Sequence, residues 1–173
     1  MMNETKRKII CAWVSLLAKH ALEEIHMDDI LGIAEVSRDT YYYYFDGITN
    51  MPVEILESET DAILEKLDLA EDKEEALHEL ISFLKNRRVM LMRIYKSVHR
   101  SHAEMLADTV AMKTARILLA EKGERGSYKS FVCRMLADGI SGCIKDYMAG
   151  KTDAMLLTDD FSDMLLSYAE HVL

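Results

Sequence analysis

A single proline in 173 residues removes the main helix breaker from almost the whole chain, and only seven glycines remain to favour tight turns. With half the residues apolar, that scarcity points to a mostly helical protein. Cysteine is scarce as well. Cys11, Cys133 and Cys143 form no spaced cluster, and an odd number gives no disulfide framework, so a reduced, cytoplasmic setting is expected. No run approaches eighteen apolar residues, and the charged start MMNETKRK leads into a helical pattern, so neither a membrane span nor a signal segment is expected. The signatures of catalysis are missing too: there is no HExxH, no paired Glu-x-x-His, no glycine-rich phosphate loop and no GxSxG. His78 and Glu79 are adjacent and point about 100° apart on a helix, so they make no ligand pair. An enzyme is not expected, and no cofactor is implied. His99, His102 and Glu104 lack a further ligand at metal-binding spacing and read as a polar interhelical joint, so no metal is expected.

Positive charge is the last shortage. The formal net charge is −9, and residues 1–50 carry five bases (Lys6, Arg7, Lys8, Lys19 and Arg38) against eight acids. Nonspecific affinity for a duplex comes largely from phosphate neutralisation by Lys and Arg, so weak nonspecific DNA binding is expected of any such surface here.

What the chain does have is the stretch Met27 to Phe45, MDDILGIAEVSRDTYYYYF. Ile30, Ile33 and Ala34 recur at the spacing of one helical face, and Asp28 and Asp29 suit the first turn of that helix. Val36-Ser37 interrupts the pattern. Ser37 can cap a second helix by accepting from the N–H of residue 39 or 40, and Tyr41 and Phe45 share its inner face. Two short helices joined by a tight turn make a helix-turn-helix, whose second helix enters the major groove in DNA-binding proteins. The run Tyr41 to Phe45 goes all round this short helix, so at least two rings must face outward, with hydroxyls able to donate to phosphate.

These residues closely resemble the DNA-binding head of the TetR family of transcriptional regulators, from IICAWVSLLAKHA through the Val-Ser, Thr and Tyr-x-Tyr-Phe positions of MDDILGIAEVSRDTYYYYF. The resemblance implies that Ser37 to Phe45 is the recognition helix. Arg38, Asp39 and Tyr43 would then point outward, while Thr40, Tyr42 and Tyr44 hold phosphates and Ser37 caps the helix. Placement alone lets Lys6, Arg7 and Lys8, at the start of the first helix, touch the DNA backbone from an arm or first turn, or serve only as a solubilising amino terminus. Asp39 would accept from cytosine N4 or repel the backbone. The chain departs from the family at Ala21 and Glu35, where glycine is usual, at His26, where a capping Thr is usual, and at Ile48, where a phosphate-contacting Lys is common. A left-handed Glu35 would cost roughly 1 kcal/mol.

Periodicity predicts a first helix over residues 4–20 with Ile9, Trp13, Leu16 and Leu17 inward. After the turn Asp46-Gly47, Asn50 is a plausible cap and Pro52 lies in the first turn of a helix over 51–67. Helices follow over 74–85, with another helix or kinked extension over 87–98, then a break at residues 99–102, and helices over 105–121, 128–148 and 161–172. Lys122-Gly123 resembles a helix end. The expected architecture is all-α, about nine helices, with a three-helix head over residues 1–46 and an effector and dimerisation domain over 47–173.

The penultimate stripe contains Phe131, Met135, Leu136, Ile140, Ile144, Tyr147 and Met148 beside Gly139 and Gly142, and mid-helix glycines usually need a reason such as close helix approach. The last stripe is Phe161, Leu165, Tyr168 and Val172, widened by Met164. Phe131, Gly139 to Gly142 and Tyr147 resemble a subset of the TetR family that includes the activator of dihydroxyacetone-kinase operons. That resemblance implies a homodimer paired through the last two helices and a palindromic double-stranded DNA operator. By fold analogy a small, largely apolar effector would bind in the body near Met90, Tyr95, Met105, Met112, Tyr128 and Met135, although the same residues suit an ordinary core. The rival expectation is a helical homodimer that has lost operator binding and works through protein contacts or a ligand.

Overall fold

A computed structural model of the protein describes residues 4–119, 127–151 and 159–171. Regular structure among them consists of α1 (Glu4–Leu17), a 3-10 turn (Leu22–Glu24), α2 (Met27–Ala34), α3 (Arg38–Tyr44), α4 (Met51–Leu69), α5 (Lys73–Tyr95), α6 (Arg100–Leu118), α7 (Ser127–Ala149) and α8 (Asp159–His171). The fold is all-α, as expected. No helix among the described residues is long and apolar enough to cross a membrane.

The first helix buries Ile9, Ala12, Trp13, Leu16 and Leu17, the face set by their spacing. It stops short of residue 20 because the N–H groups of Lys19 and His20 both turn back to the Leu16 carbonyl. At the start of α2 the His26 side chain makes no capping bond, and only the reverse half of the capping box forms, with His26 N–H donating to Asp29 Oδ2 at 3.1 Å. Ala21 is extended at φ −67°, so the absence of glycine there costs nothing. Glu35 is left-handed at φ 54° and ψ 46°, and Val36 N–H closes onto the Leu31 carbonyl at 3.3 Å, satisfying a terminal acceptor of α2.

Asn50 holds the N-cap position of α4, but its side chain makes no capping bond: its backbone is already helical (φ −90°, ψ −12°), and its contribution is a carbonyl that accepts from the N–H groups of Val53 and Glu54. Of the two alternatives for residues 87–98, another helix or an extension, the chain takes the extension, and α5 is one helix: its interior has neither Gly nor Pro, Asp72 caps it by accepting from Glu75 N–H at 2.8 Å, and Arg87 Nε donates to Glu59 Oε2 of α4 at 2.7 Å. The break therefore falls at residues 96–99 and α6 begins at Arg100, supported by an Arg100–Glu104 pair at 2.8 Å.

The body is organised on α5, which packs against α4, α6, α7 and α8 and also touches α1. The most extensive packing joins α6 to α7. Ala103, Ala107, Ala111 and Ala115 make a small-residue face at helical spacing on α6, which lets a neighbouring backbone approach. The same pair is tied at its edge by Asp108, which accepts from Ser141 Oγ at 2.5 Å and Lys145 Nζ at 2.6 Å.

On α7, Leu136, Ile140, Ile144, Tyr147 and Met148 are buried, but Phe131 and Met135 are 63% and 51% exposed. A Cβ placed on Gly139 or Gly142 would meet nothing within 4 Å, so the close approach expected at these glycines is not made within the described part of the chain. On α8, Phe161 and Leu165 are buried while Met164 and Tyr168 are exposed. The expectations at Lys122-Gly123 and Val172 fall outside the described residues.

Candidate nucleic-acid interface

The second and third helices present a compact polar and aromatic surface on an apolar floor. Ser37 sets the direction of α3: its extended backbone ends the turn, and its Oγ accepts from Thr40 N–H at 3.1 Å while lying 2.8 Å from Thr40 Oγ1. The Thr40 hydroxyl is thereby committed to the cap. Tyr41 and Phe45 form the floor, with rings 5.4 Å apart and both buried. The Tyr41 hydroxyl donates to the Gly47 carbonyl at 3.4 Å, fastening α3 to the turn that follows. Burial first, with Glu54 and Tyr42 adding negative potential, pushes the Tyr41 phenol up to about 12.

With the floor fixed, the remaining rings face out. Tyr42 packs edge-on against Tyr41 at 5.7 Å and is 52% exposed, while Tyr43 is 81% exposed and stands edge-on to Tyr44 at 4.9 Å. Tyr44 is half-buried. The two or more outward rings expected from the run are thus Tyr42 and Tyr43, whose faces can lie against an extended partner and whose hydroxyls are open.

Arg38 and Asp39, the first two residues of α3, are exposed. Arg38 Nη2 donates to Asp28 Oδ1 at 2.7 Å, a link between α3 and the first turn of α2. Sequence reasoning placed Asp28 only in the first turn of α2, because a contact ten residues away has no periodic signature and depends on how the two helices cross. Across residues 28–46, Asp28, Asp29, Glu35, Asp39 and Asp46 stand against Arg38 alone.

Lys6 is placed differently from a free arm. Its Nζ lies over the Phe45 ring, 5.3 Å from the centroid, and is near enough to Glu54 to oppose the upward push that burial gives that carboxyl. It is half-buried at the underside of α3. Ile48, at the position where a phosphate-contacting lysine would stand, packs against the core.

In the body, the six residues considered for an effector have unlike surroundings. Met90 and Tyr95 are core residues, and the Tyr95 hydroxyl donates to Glu104 and accepts from Arg100. Met105 and Met135 are exposed, and the side chain of Tyr128 lies outside the described residues. Met112 lines an open groove of about 490 Å³ between α6 and α7 with Arg116, Cys133 and Arg134. A second open groove of about 430 Å³ runs between α5 and α8, lined by polar residues including Glu74, His78, Lys85 and Asp163. No group of three or more His, Cys, Asp or Glu side chains is placed to hold a metal among the described residues.

No protein-family model and no curated protein sequence matches the chain. Among solved structures the chain is similar to the dihydroxyacetone kinase operon activator DhaS, with a TM-score of 0.77 and 19% identity, over 96% of this chain and 97% of that one. At that identity the likeness establishes a shared all-helical fold over essentially the whole chain.

Proposed function

We propose that the chain is a sequence-specific DNA-binding transcriptional regulator of the TetR type, acting as a homodimer on a palindromic operator. The observation that carries this reading is the α2–α3 pair: a Ser37-capped second helix seated on Tyr41 and Phe45, with Arg38, Asp39, Tyr42 and Tyr43 all exposed. A shared fold with a protein described as an operon activator supports it. In this reading residues 1–46 form the head. Arg38 and Asp39 face base edges, and Tyr42, Tyr43 and the partly buried Tyr44 lie along the backbone with the capped Thr40 beside them. Lys6 braces α3 from below and contributes positive potential to the phosphates.

The partner is a second copy of the chain. Phe131 and Met135 on α7 and Met164 and Tyr168 on α8 leave apolar surface on both terminal helices, and Gly139 and Gly142 leave room for a helix to come close. Control by a small, largely apolar effector in the body belongs to the same reading, with Met112 as an accessible apolar side chain in the α6–α7 groove. One observation favours the rival reading, in which the head contacts a protein: five carboxylates over residues 28–46 against one guanidinium.

Selection from randomised duplexes at low salt separates the two. Enrichment of a palindrome, with Arg38→Ala losing it, is the expected result. No enrichment, with the variant indistinguishable from the parent, would leave the protein-contact reading in its place.

A further inference from the structure

The link between Asp28 and Arg38 has little value as a fold-stabilising contact, since both side chains are largely exposed and such pairs contribute little in water. Its consequence lies in what it does to the only cation on the α2–α3 surface. A free arginine carries about 2 kcal/mol of rotamer entropy, and a carboxylate that holds one edge of the guanidinium removes part of that freedom in advance. Asp28 engages Nη2, while the other N–H donors of the fork remain available. The adjacent carboxylate also cancels much of the positive charge that a phosphate would seek, yet leaves those directional donors intact. A guanidinium in that state is poorly suited to phosphate and well suited to a base edge, where the acceptor pair O6 and N7 of guanine matches its fork.

Position on the helix agrees. Arg38 and Asp39 open α3, and the N-terminal residues of a recognition helix are those that meet bases. Asp39, ionised, only accepts, and cytosine N4 is a donor in the major groove. We infer that Asp28 is a positioning residue that holds Arg38 to read a guanine in each operator half-site, with Asp39 beside it favouring a cytosine; this rests on the DNA-binding reading above. Recognition would then come mainly from hydrogen-bond geometry at a G·C-containing step, which fits a head with too few cations to bind duplexes indiscriminately.

The test uses the full chain and the duplex it enriches from a random pool. Each half-site guanine is replaced in turn by 7-deazaguanine, which lacks the N7 acceptor, and binding is measured for the parent, Asp28→Asn and Arg38→Ala, with circular dichroism showing that each variant is folded. The parent is expected to lose roughly tenfold at one guanine position. Both variants should bind the unmodified duplex more weakly and lose less than about threefold at that position. In Asp28→Asn the freed guanidinium should turn to phosphate, steepening the salt dependence by about one ion. If Asp28→Asn binds every duplex more tightly and keeps the full 7-deazaguanine penalty, Asp28 is only an electrostatic brake and the inference is overturned. The same follows if the variant matches the parent, or if no guanine position is sensitive in the parent. Should the parent enrich no duplex, the DNA-binding reading falls first and this inference with it.

Discussion

At Glu35 a side-chain-bearing residue occupies the left-handed region, and among the described residues it is alone in doing so without being glycine. The cause is local: α2 must end and α3 begin within three residues, and the chain reverses by closing Val36 N–H onto Leu31. A Cβ in this conformation crowds the backbone, so Glu35→Gly is expected to stabilise the protein by about 1 kcal/mol. Urea unfolding of parent and variant measures it, and a loss of stability would mean that the carboxylate supplies something the backbone cost conceals. The strain was legible only through the resemblance, which has glycine at this position; the residues themselves left an altered turn equally open. Ala21 also stands where the resemblance has glycine, yet its backbone is extended, so a missing glycine alone does not mark a left-handed turn. The Arg38–Asp28 link was illegible for the complementary reason: it depends on a crossing of two helices that no local pattern encodes.

Among the elements, the joint between α5 and α6 couples to the turn ahead of α4 through His99. Its imidazole is held below its ordinary value near 6.5, chiefly by burial and then by His102, against an opposing hydrogen bond with the Thr49 backbone. The two rings lie 6.1 Å apart, and His102 Nδ1 is buried without a partner. A depressed histidine binds its proton more readily in the unfolded chain, so stability is complete above pH 6.5 and is lost as the pH falls through the lower folded value. Urea midpoints measured between pH 7.5 and 5 should fall for the parent, and His99→Gln should flatten that decline; an equal decline in both would assign the effect to other groups. The sequence placed a polar joint here but put the break three residues late. Helical spacing marks where an apolar stripe lapses, whereas the hydrogen bonds that end α5 at Tyr95 fix where the backbone turns. Whether residues 87–98 continued the preceding helix or began another stayed open in the sequence, because Arg87 and Arg88 interrupt a stripe without interrupting a helix.

For the whole molecule, the stripes on the terminal helices foretold two faces but could not say which was covered within one chain. Leu136, Ile140 and Ile144 turned out to be inner, and Phe131 and Met135 outer. If the outer face joins two copies, Phe131→Lys combined with Met135→Lys should convert a dimer to a monomer with its helix content intact, as read by sedimentation velocity at micromolar concentration and circular dichroism; a parent that is already monomeric would sink the proposed pairing. The central position of α5 bears on how the protein comes into being. Its contact with α8 joins segments made far apart in time, because about seventy residues separate Tyr95 from Leu165 and synthesis adds roughly 5–20 per second. For several seconds on the ribosome, the side of α5 destined for α8 therefore has no covering helix, and the nascent chain must pass that interval with apolar surface open to whatever else is in the cell.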